Sequence, residues 1–308
     1  MNEARFRGAE RRLWDAFGTS PTEQRVHLDA LKTSVRVQEL GDGPVVLFVH
    51  GASNAGSSWI DLATRLVGFR CILLDRPGCG LSDRLLRPPR TIDDIESYAD
   101  TLIPTVLDAL GVQRAHVIAT SYGGYFALRA AAAHPDRIER VVEFSWMVGA
   151  PLEKVPFAMR IGGAPGVGWM MARVPPNERS VRMILRQVGL RSALETGRFT
   201  QAQLDWFVAL QRDTNTMRNE FESSPQLVHP LRGFNDRVLL SKQLRAGTTT
   251  PIRFLWGEDD PNGGRAVAQS FVAPYPNAEV ECWTGAGHAP WIDDPDRAAA
   301  ATRAFLGG

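Results

Sequence analysis

Ser121 occupies the position in this chain that most directly offers chemistry. The run from Ala115 to Ala119 is short and apolar, with β-branched Val117 and Ile118, which predicts a buried strand. The segment from Tyr122 to Ala133 is rich in helix-forming residues and has no proline, which predicts a helix. A strand that turns into a helix around one serine exposes its hydroxyl on a sharp corner. That hydroxyl is a candidate nucleophile; an ordinary serine in a turn is the alternative.

Four short motifs resemble those of the α/β-hydrolase family. The corner, Ala-Thr-Ser-Tyr-Gly from Ala119, resembles the family's G-x-S-x-G nucleophile elbow, with alanine at the first glycine. His50-Gly51 after an apolar run resembles its oxyanion loop. The W-G-E-D-D-P stretch from Trp256 resembles its acid loop, and G-A-G-H-A-P-W from Gly285 resembles its histidine loop. The resemblance covers about residues 45–144 and 252 to the end, with the segment between them unmatched.

The resemblance implies a catalytic triad of Ser121, Asp260 and His288, in the nucleophile–acid–histidine order of that fold. A serine hydroxyl is a poor nucleophile at neutral pH, so His288 would take its proton and pass it to the leaving group. Asp260 would fix the tautomer of His288 and stabilise the imidazolium. Asp259 is the rival for the acid, although its spacing from Trp256 is less favourable. Weaker candidates for the acid near strand ends are Glu143 and Asp75.

The same resemblance implies an oxyanion hole formed by the backbone N–H groups of Ala52 and Tyr122. Backbone donors are needed there because a tetrahedral intermediate carries negative charge on the former carbonyl oxygen. We expect the side chain of His50 to order this loop rather than to act in catalysis. Side chains expected to border a substrate pocket are Ser53, Trp59, Trp146, Met147, Trp169, Trp206 and Trp291.

Buried strands alternating with helices must position these residues. A continuously apolar strand is predicted at Val45 to Val49 and another buried strand at Cys71 to Asp75. Further strands are predicted at Ile138 to Phe144, Ile252 to Trp256 and Ala278 to Trp283. Helices are predicted at Trp59 to Leu66, Thr91 to Leu110, Gly263 to Phe271 and Pro295 to Phe305. Together with the resemblance, this alternation predicts an α/β-hydrolase fold with a mostly parallel, doubly wound sheet. Each triad residue follows a predicted strand, and open α/β sheets carry their active sites at the carboxyl ends of the strands.

Three further elements lie outside this regular alternation. Phe6, Leu13, Trp14 and Phe17 recur at helical spacing, which predicts an amphipathic helix docked on the body. Gln24 to Leu28 and Thr33 to Leu40 alternate apolar and polar residues, as half-buried edge strands do.

From residue 146 to 244 the alternation of strands and helices stops, and six of the seven methionines lie there. We expect a core domain of residues 1–145 and 245–308, with residues 146–244 inserted as a helical cap. Flexible methionines and flat aromatic rings in a cap suit an apolar substrate pocket, although some of them must form the core of the cap itself.

Composition excludes several classes of function. The net charge is +1, which gives no reason to expect nucleic acid as a partner. No apolar run is long enough for a membrane span, and the N-terminal residues lack the apolar core of a secretory signal. Three scattered cysteines suit neither a disulfide framework nor a zinc site and favour the cytoplasm. No metal cluster, phosphate loop or other cofactor site is expected, and a homodimer is left open.

The sequence therefore predicts a serine hydrolase that cleaves a carboxylic ester or lactone of a hydrophobic small molecule through an acyl-serine intermediate. A hydrolase of C–C bonds in diketone-type substrates is one alternative. An amidase similar to proline iminopeptidases is another, and it would need an acidic anchor for the substrate amine such as Glu178, Glu195 or Glu222. A receptor or scaffold without catalysis belongs to a different class, and the intact triad argues against it.

Overall fold

An eight-stranded, mostly parallel sheet forms the centre of the molecule. The computed structural model describes residues 1–153, 176–229 and 233–307, together with Val167, Met170 and Val174. The strands of this sheet are β1 (Thr22–Leu28), β2 (Thr33–Leu40), β3 (Val45–Val49), β4 (Arg70–Leu74), β5 (Ala115–Ser121), β6 (Ile138–Met147), β9 (Ile252–Gly257) and β10 (Ala278–Trp283). Their order across the sheet is β1-β2-β4-β3-β5-β6-β9-β10.

The sheet combines an antiparallel edge with a parallel body. β1 pairs antiparallel with β2, and β2 pairs antiparallel with β4, whereas the remaining neighbours are parallel. The predicted edge location is correct for β1 and wrong for β2, which lies between two strands. Several residues of β2 are buried for this reason, including Val35, Arg36 and Val37. The mostly parallel, doubly wound architecture predicted from the alternation of strands and helices is observed.

Helices cover both faces of the sheet. One face packs against α3 (Ile92–Ala109), α4 (Tyr122–Ala133) and α10 (Arg265–Val272). The other packs against α1 (Glu3–Ala16), α2 (Ile60–Ala63), α11 (Pro290–Asp293) and α12 (Pro295–Leu306). The helix predicted from Trp59 to Leu66 is shorter in the structure. A 3-10 turn covers Gly56–Trp59, and the α-helix α2 covers only Ile60–Ala63. None of the helices that the structure describes is both long and apolar enough to cross a bilayer.

The segment from residue 146 to 244, predicted to be a cap, contributes helices where the structure describes it. These are α5 (Glu178–Gln187), α6 (Arg191–Glu195), α7 (Gln201–Asp213), α8 (Thr216–Leu227) and the start of α9 (Lys242–Gly247); a short hairpin pairs β7 (Val228–His229) with β8 (Gly233–Phe234). The inner residues of α5 and α7 join the hydrophobic cluster that contains α1 and α2. The N-terminal helix α1, predicted from its apolar spacing, buries Phe6, Leu13 and Trp14 in that cluster.

Two buried aspartates mark the contact between these helices and the core. Asp61 on α2 is buried and accepts a hydrogen bond from the side-chain amide of Gln203 on α7. Asp293 on α11 is also buried, and its backbone carbonyl accepts from Arg198. Burial raises the pKa of each of these carboxyl groups to about 6. Folding therefore shifts both carboxyl groups toward the neutral acid, relative to the unfolded chain.

We expect Asp61→Asn to stabilise the protein at pH 8 and to have little effect near pH 3.5. Burial raises the pKa of Asp61 from 3.8 to about 6, so its contribution to stability is present below pH 3.8 and is lost as the pH rises through 6. Two units correspond to roughly 3 kcal/mol at most, and an asparagine oxygen can still accept from Gln203. Urea denaturation of both proteins across this pH range measures the difference. Asp29→Asn is the control, because the Asp29 side chain is 99% exposed. A wild type and an Asp61→Asn variant that differ equally at every pH would contradict the assignment.

Candidate active site

The strand β5 passes into helix α4 without a loop, and Ser121 lies at the junction. Its φ of 55° and ψ of −123° are unusual for a residue with a side chain. Backbone strain of this kind costs on the order of 1–3 kcal/mol and concentrates at functional sites. The residue lies at the carboxyl end of β5, directly before the first turn of α4.

Glycines make this corner sterically possible. A Cβ on Gly123 would lie 2.1 Å from the carbonyl oxygen of Val49 on the neighbouring strand. A Cβ on Gly51 would lie 2.9 Å from Cβ of Ser121. The loop after β3 therefore runs directly against Ser121, where only glycine fits.

His288 and Asp260 form a hydrogen-bonded pair beside this corner. Nδ1 of His288 lies 2.6 Å from Oδ2 of Asp260. The same oxygen accepts the N–H of Trp146 at 2.9 Å, and Oδ1 accepts the N–H of Asn262 at 2.9 Å. The Asp260 side chain is fully buried, whereas Asp259 is exposed. Two backbone N–H groups and the imidazole thus hold the Asp260 carboxylate in place. In a neutral imidazole whose Nδ1–H donates to this carboxylate, Nε2 is the nitrogen that can accept a proton.

The three proposed catalytic residues lie at the carboxyl ends of parallel strands, on the same side of the sheet. Ser121 ends β5, Asp260 follows β9 and His288 follows β10, and these strands are parallel through β6. Among the hydrogen bonds of the described residues, none joins the Ser121 hydroxyl to His288. In a site without substrate this contact is often long, and it tightens when the substrate is bound.

The proposed oxyanion donors flank Ser121. Tyr122 begins α4, so its N–H is one of the free N–H groups of the first helical turn. Ala52 follows the close approach of Gly51 to Ser121 and is exposed. The next residue, Ser53, has a φ of 54°, and its carbonyl oxygen accepts from the side chain of Gln211 on α7 at 2.7 Å. The helices of the predicted cap therefore contact the loop that carries one donor.

Three residues that position the histidine loop had no signal in the sequence. Ser145, at a φ of 59° in β6, donates to the carbonyl of Gly287 at 3.0 Å and accepts the N–H of Gly257 at 3.1 Å. Oδ2 of Asp293 accepts the N–H of Gly287 at 2.8 Å. Gly189 in the turn after α5 lies so close that a Cβ would come 2.8 Å from the backbone nitrogen of His288. The contacts of Ser145 and Gly189 join segments distant in the chain, which is why no local pattern reveals them.

The residues expected to border the pocket are buried where the structure describes them, apart from Ser53. The rings of Trp59 and Trp291 lie 4.3 Å apart, centroid to centroid, in a cluster with Phe48 and Phe144. Met147 pairs with Ser121 in the sheet register and is fully buried.

Two more tryptophans from the predicted pocket set lie in the segment expected to form the cap. Trp146 donates to the carbonyl of Pro151, and Trp206 packs beside Phe207 on α7. Trp169 lies outside the described residues. Contact with substrate stays a prediction for all seven members of the set.

Glu143 and Asp75, the weaker candidates for the acid, face elsewhere. Glu143 is completely buried beneath α4, where a Cβ on Gly124 would touch its carboxyl group, and burial raises its pKa well above the usual value. Asp75 accepts hydrogen bonds from Arg36, the N–H of Gly56 and the N–H of Leu81. In the part of the chain that the structure describes, His288 is hydrogen-bonded to Asp260 and to neither of these carboxyl groups.

Comparisons with known proteins agree with this geometry. A family model described as the alpha/beta hydrolase family matches residues 46–301. A 2-hydroxy-6-oxononadienedioate/2-hydroxy-6-oxononatrienedioate hydrolase of Paraburkholderia phymatum is 25% identical over 88% of this chain and 87% of that protein.

Solved structures share the fold at lower sequence identity. A carboxylesterase of Bacillus subtilis superposes with a TM-score of 0.75 at 18% identity, over 99% of each chain. A 2-hydroxy-6-oxo-6-phenylhexa-2,4-dienoate hydrolase of Rhodococcus superposes with a TM-score of 0.78 at 16% identity, over 94% of this chain and 99% of that one. With a family model that spans most of its length, the chain belongs to the alpha/beta hydrolase family and is a hydrolase.

Proposed function

We propose that this hydrolase cleaves a carboxylic ester or lactone of a hydrophobic small molecule through an acyl intermediate on Ser121. The observation that carries the proposal is the Asp260–His288 pair, with Nδ1 of the imidazole 2.6 Å from a buried carboxylate oxygen. This pair follows the carboxyl ends of β9 and β10, and Ser121 lies at the carboxyl end of β5 with a strained backbone. Ester hydrolysis needs a nucleophile, a base, a group that orients the base and donors for an oxyanion. We assign these tasks to Ser121, His288, Asp260 and the N–H groups of Ala52 and Tyr122.

The proposed reaction proceeds in two halves. His288 Nε2 takes the proton of Ser121 as the hydroxyl oxygen attacks the carbonyl carbon. The N–H groups of Ala52 and Tyr122 stabilise the tetrahedral oxyanion, and His288 then protonates the leaving alcohol. Water repeats the sequence on the acyl-enzyme with His288 again as base. Asp260 keeps the proton of the neutral imidazole on Nδ1 throughout.

The apolar character of the surroundings supports a hydrophobic substrate. Trp59, Phe144 and Trp291 form an aromatic cluster in the core beside the histidine loop. We propose that residues 146–244 act as a cap over the site, and that segment contains six of the seven methionines. Flexible thioether side chains adapt to apolar ligands of different shape.

Hydrolysis of a C–C bond is the second candidate, favoured by the relative from Paraburkholderia phymatum, whose name describes the hydrolysis of a dienedioate. The same attack on a ketone would be followed by departure of a carbon leaving group, which must be protonated on carbon. An amidase is a third candidate. Of its proposed acidic anchors, Glu178 is exposed and bound to Arg182, Glu195 is exposed, and the side chain of Glu222 lies outside the described residues. A receptor without catalysis is the remaining alternative.

A series of p-nitrophenyl esters from acetyl to decanoyl, with aliphatic lactones, a β-diketone and an aminoacyl anilide, tests the proposal. We expect the highest kcat/KM for a medium-chain ester or a lactone. A preference for the acetyl ester would contradict the hydrophobic substrate. Turnover of the diketone alone would indicate hydrolysis of C–C bonds. Turnover of the anilide alone would indicate an amidase.

We also propose a cytoplasmic location, supported by three cysteines that are all free thiols. Fractionation of cells that express the tagged protein tests this location. The homodimer stays a prediction, which light scattering on the purified protein tests.

A further inference from the structure

The guanidinium of Arg76 is buried directly behind the oxyanion loop. The residue follows β4 and is 2% exposed. Nε donates to the carbonyl of His50 at 3.0 Å, and one terminal nitrogen donates to the carbonyl of Gly51 at 2.9 Å. One side chain therefore holds two successive carbonyl groups of the loop.

The carbonyl of Gly51 belongs to the same peptide unit as the N–H of Ala52. Since a peptide unit is planar, fixing the direction of this carbonyl also fixes the direction of the N–H. His50 reinforces the arrangement, because its Nδ1 lies 2.7 Å from the same carbonyl oxygen while its Nε2 accepts the N–H of Arg76 at 3.0 Å. Two donors on one carbonyl, one of them charged, polarise the peptide and make the N–H of Ala52 a stronger donor.

Arg76 also contacts the residue that supplies the second proposed donor. Its guanidinium carbon lies 5.0 Å from the centroid of the Tyr122 ring and 5.5 Å from that of Phe126. Stacking on aromatic faces is a favourable use of a guanidinium in a dry environment. Arg76 thus lies between the loop of Ala52 and the first turns of α4.

Glu220 supplies the counter-charge that allows this arginine to be buried. Its Oε1 lies 2.8 Å from the terminal nitrogen of Arg76. Two other residues on the same face of α8 contact residues 77–80, which follow Arg76. Thr216 accepts the N–H of Gly80 at 2.9 Å, and Asn219 donates to the carbonyl of Pro77 at 3.3 Å. The ion pair therefore joins a helix of the predicted cap to the core.

We propose that Arg76 is a positioning residue for the oxyanion hole, which it serves by orienting and polarising the Gly51–Ala52 peptide. The proposal rests on the proposed ester hydrolysis at Ser121. Arg76 acts through the backbone of Ala52 and makes no contact with substrate. Its effect belongs to the transition states and the tetrahedral intermediate, since only these carry the oxyanion.

The double variant Arg76→Met/Glu220→Leu tests this role without leaving a buried charge unpaired. Apolar replacement of a buried ion pair often preserves folding. We expect kcat for the best ester to fall about 10- to 100-fold, with KM changed less than about threefold. This loss of kcat is smaller than that caused by removal of an oxyanion donor, because the N–H of Ala52 is still present. Affinity for a trifluoromethyl ketone, which adds to Ser121 and forms an oxyanion, should fall by the same factor. Affinity for the matching methyl ketone should not change.

Arg129→Met is the matched control. Arg129 also stacks on a tyrosine of α4 and pairs with Asp100, but it lies away from the oxyanion loop. We expect its kcat to stay within about twofold of the wild type, as for a partly exposed pair far from the reaction. If the double variant does not fold, Arg76→Lys replaces it, because lysine keeps the charge beside Glu220 but lacks the fork that holds two carbonyls. The direction of the expected loss is the same.

Three results would overturn the assignment. The first is a folded double variant with the kcat of the wild type, and the second is a loss of kcat without loss of trifluoromethyl ketone affinity. The third is an equal loss of affinity for both ketones, which would indicate general damage to the pocket. A wild-type protein that neither hydrolyses esters nor binds the trifluoromethyl ketone would instead overturn the proposed function, and this role with it.

Discussion

Replacement of Ser121 by alanine is expected to reduce kcat for the best ester on the order of 10⁶-fold, the loss that follows removal of the nucleophile from a serine triad. Without the hydroxyl no acyl intermediate forms, and only the oxyanion donors and substrate binding remain. Alanine and serine meet the same strain at a φ of 55°, so the variant should fold as the wild type does. Ester hydrolysis under conditions of enzyme excess measures the residual rate.

The control for this prediction is Ser270→Ala, an exposed serine on α10. Its kcat should stay within about twofold of the wild-type value, as expected for a surface substitution. If Ser121→Ala retained a tenth of the activity with an unchanged melting temperature, Ser121 would not be the nucleophile.

Asp260→Asn is expected to lower kcat by about 10⁴-fold, the loss typical of a triad whose acid becomes an amide. In the wild type Oδ2 accepts two N–H groups, from Trp146 and His288, and Oδ1 accepts a third from Asn262. An amide has only one acceptor oxygen. If its NH₂ faces His288, the proton of the imidazole moves to Nε2, which can then no longer accept the proton of Ser121. If its NH₂ faces Asn262, two donors oppose each other in a buried site.

Asp259→Asn is the matched control, since Asp259 is the exposed neighbour on the same loop. We expect its kcat to remain within about threefold of the wild type, because its carboxylate makes no buried contact. The opposite pattern, with Asp259→Asn inactive and Asp260→Asn active, would transfer the role of the acid to Asp259. Kinetics and thermal melting of the two variants, measured side by side, separate the outcomes.

Local sequence patterns predicted the elements that carry the site well. The run from Ala115 and the segment from Tyr122 became β5 and α4 with nearly the expected ends, because β-branched residues and helix formers follow one another there without a loop. Spacing also favoured Asp260 over Asp259, and in the structure His288 contacts Asp260. A resemblance to known motifs was needed to relate residues 121, 260 and 288, since their proximity depends on the order of the strands.

Contacts between distant segments could not be predicted in the same way. Ser145 resembles any serine in a strand until β6, β9 and the histidine loop are in place. Arg76 directly follows the strand predicted at Cys71 to Asp75, and its burial depends on Glu220, which lies 144 positions away in the chain. The end of α2 at Ala63 and the turn of α11 at Pro290 also depend on tertiary packing rather than on local helix propensity.

Trapping the covalent intermediate tests the central claim most directly. A fluorophosphonate is incubated with the wild type, Ser121→Ala and Ser270→Ala, and the intact masses and labelled peptides are determined by mass spectrometry. We predict one label per wild-type chain, on the peptide that contains Ser121, the same result for Ser270→Ala, and no label on Ser121→Ala. A label on another residue, or a wild type that hydrolyses esters without being labelled at Ser121, would contradict hydrolysis through an acyl-Ser121 intermediate.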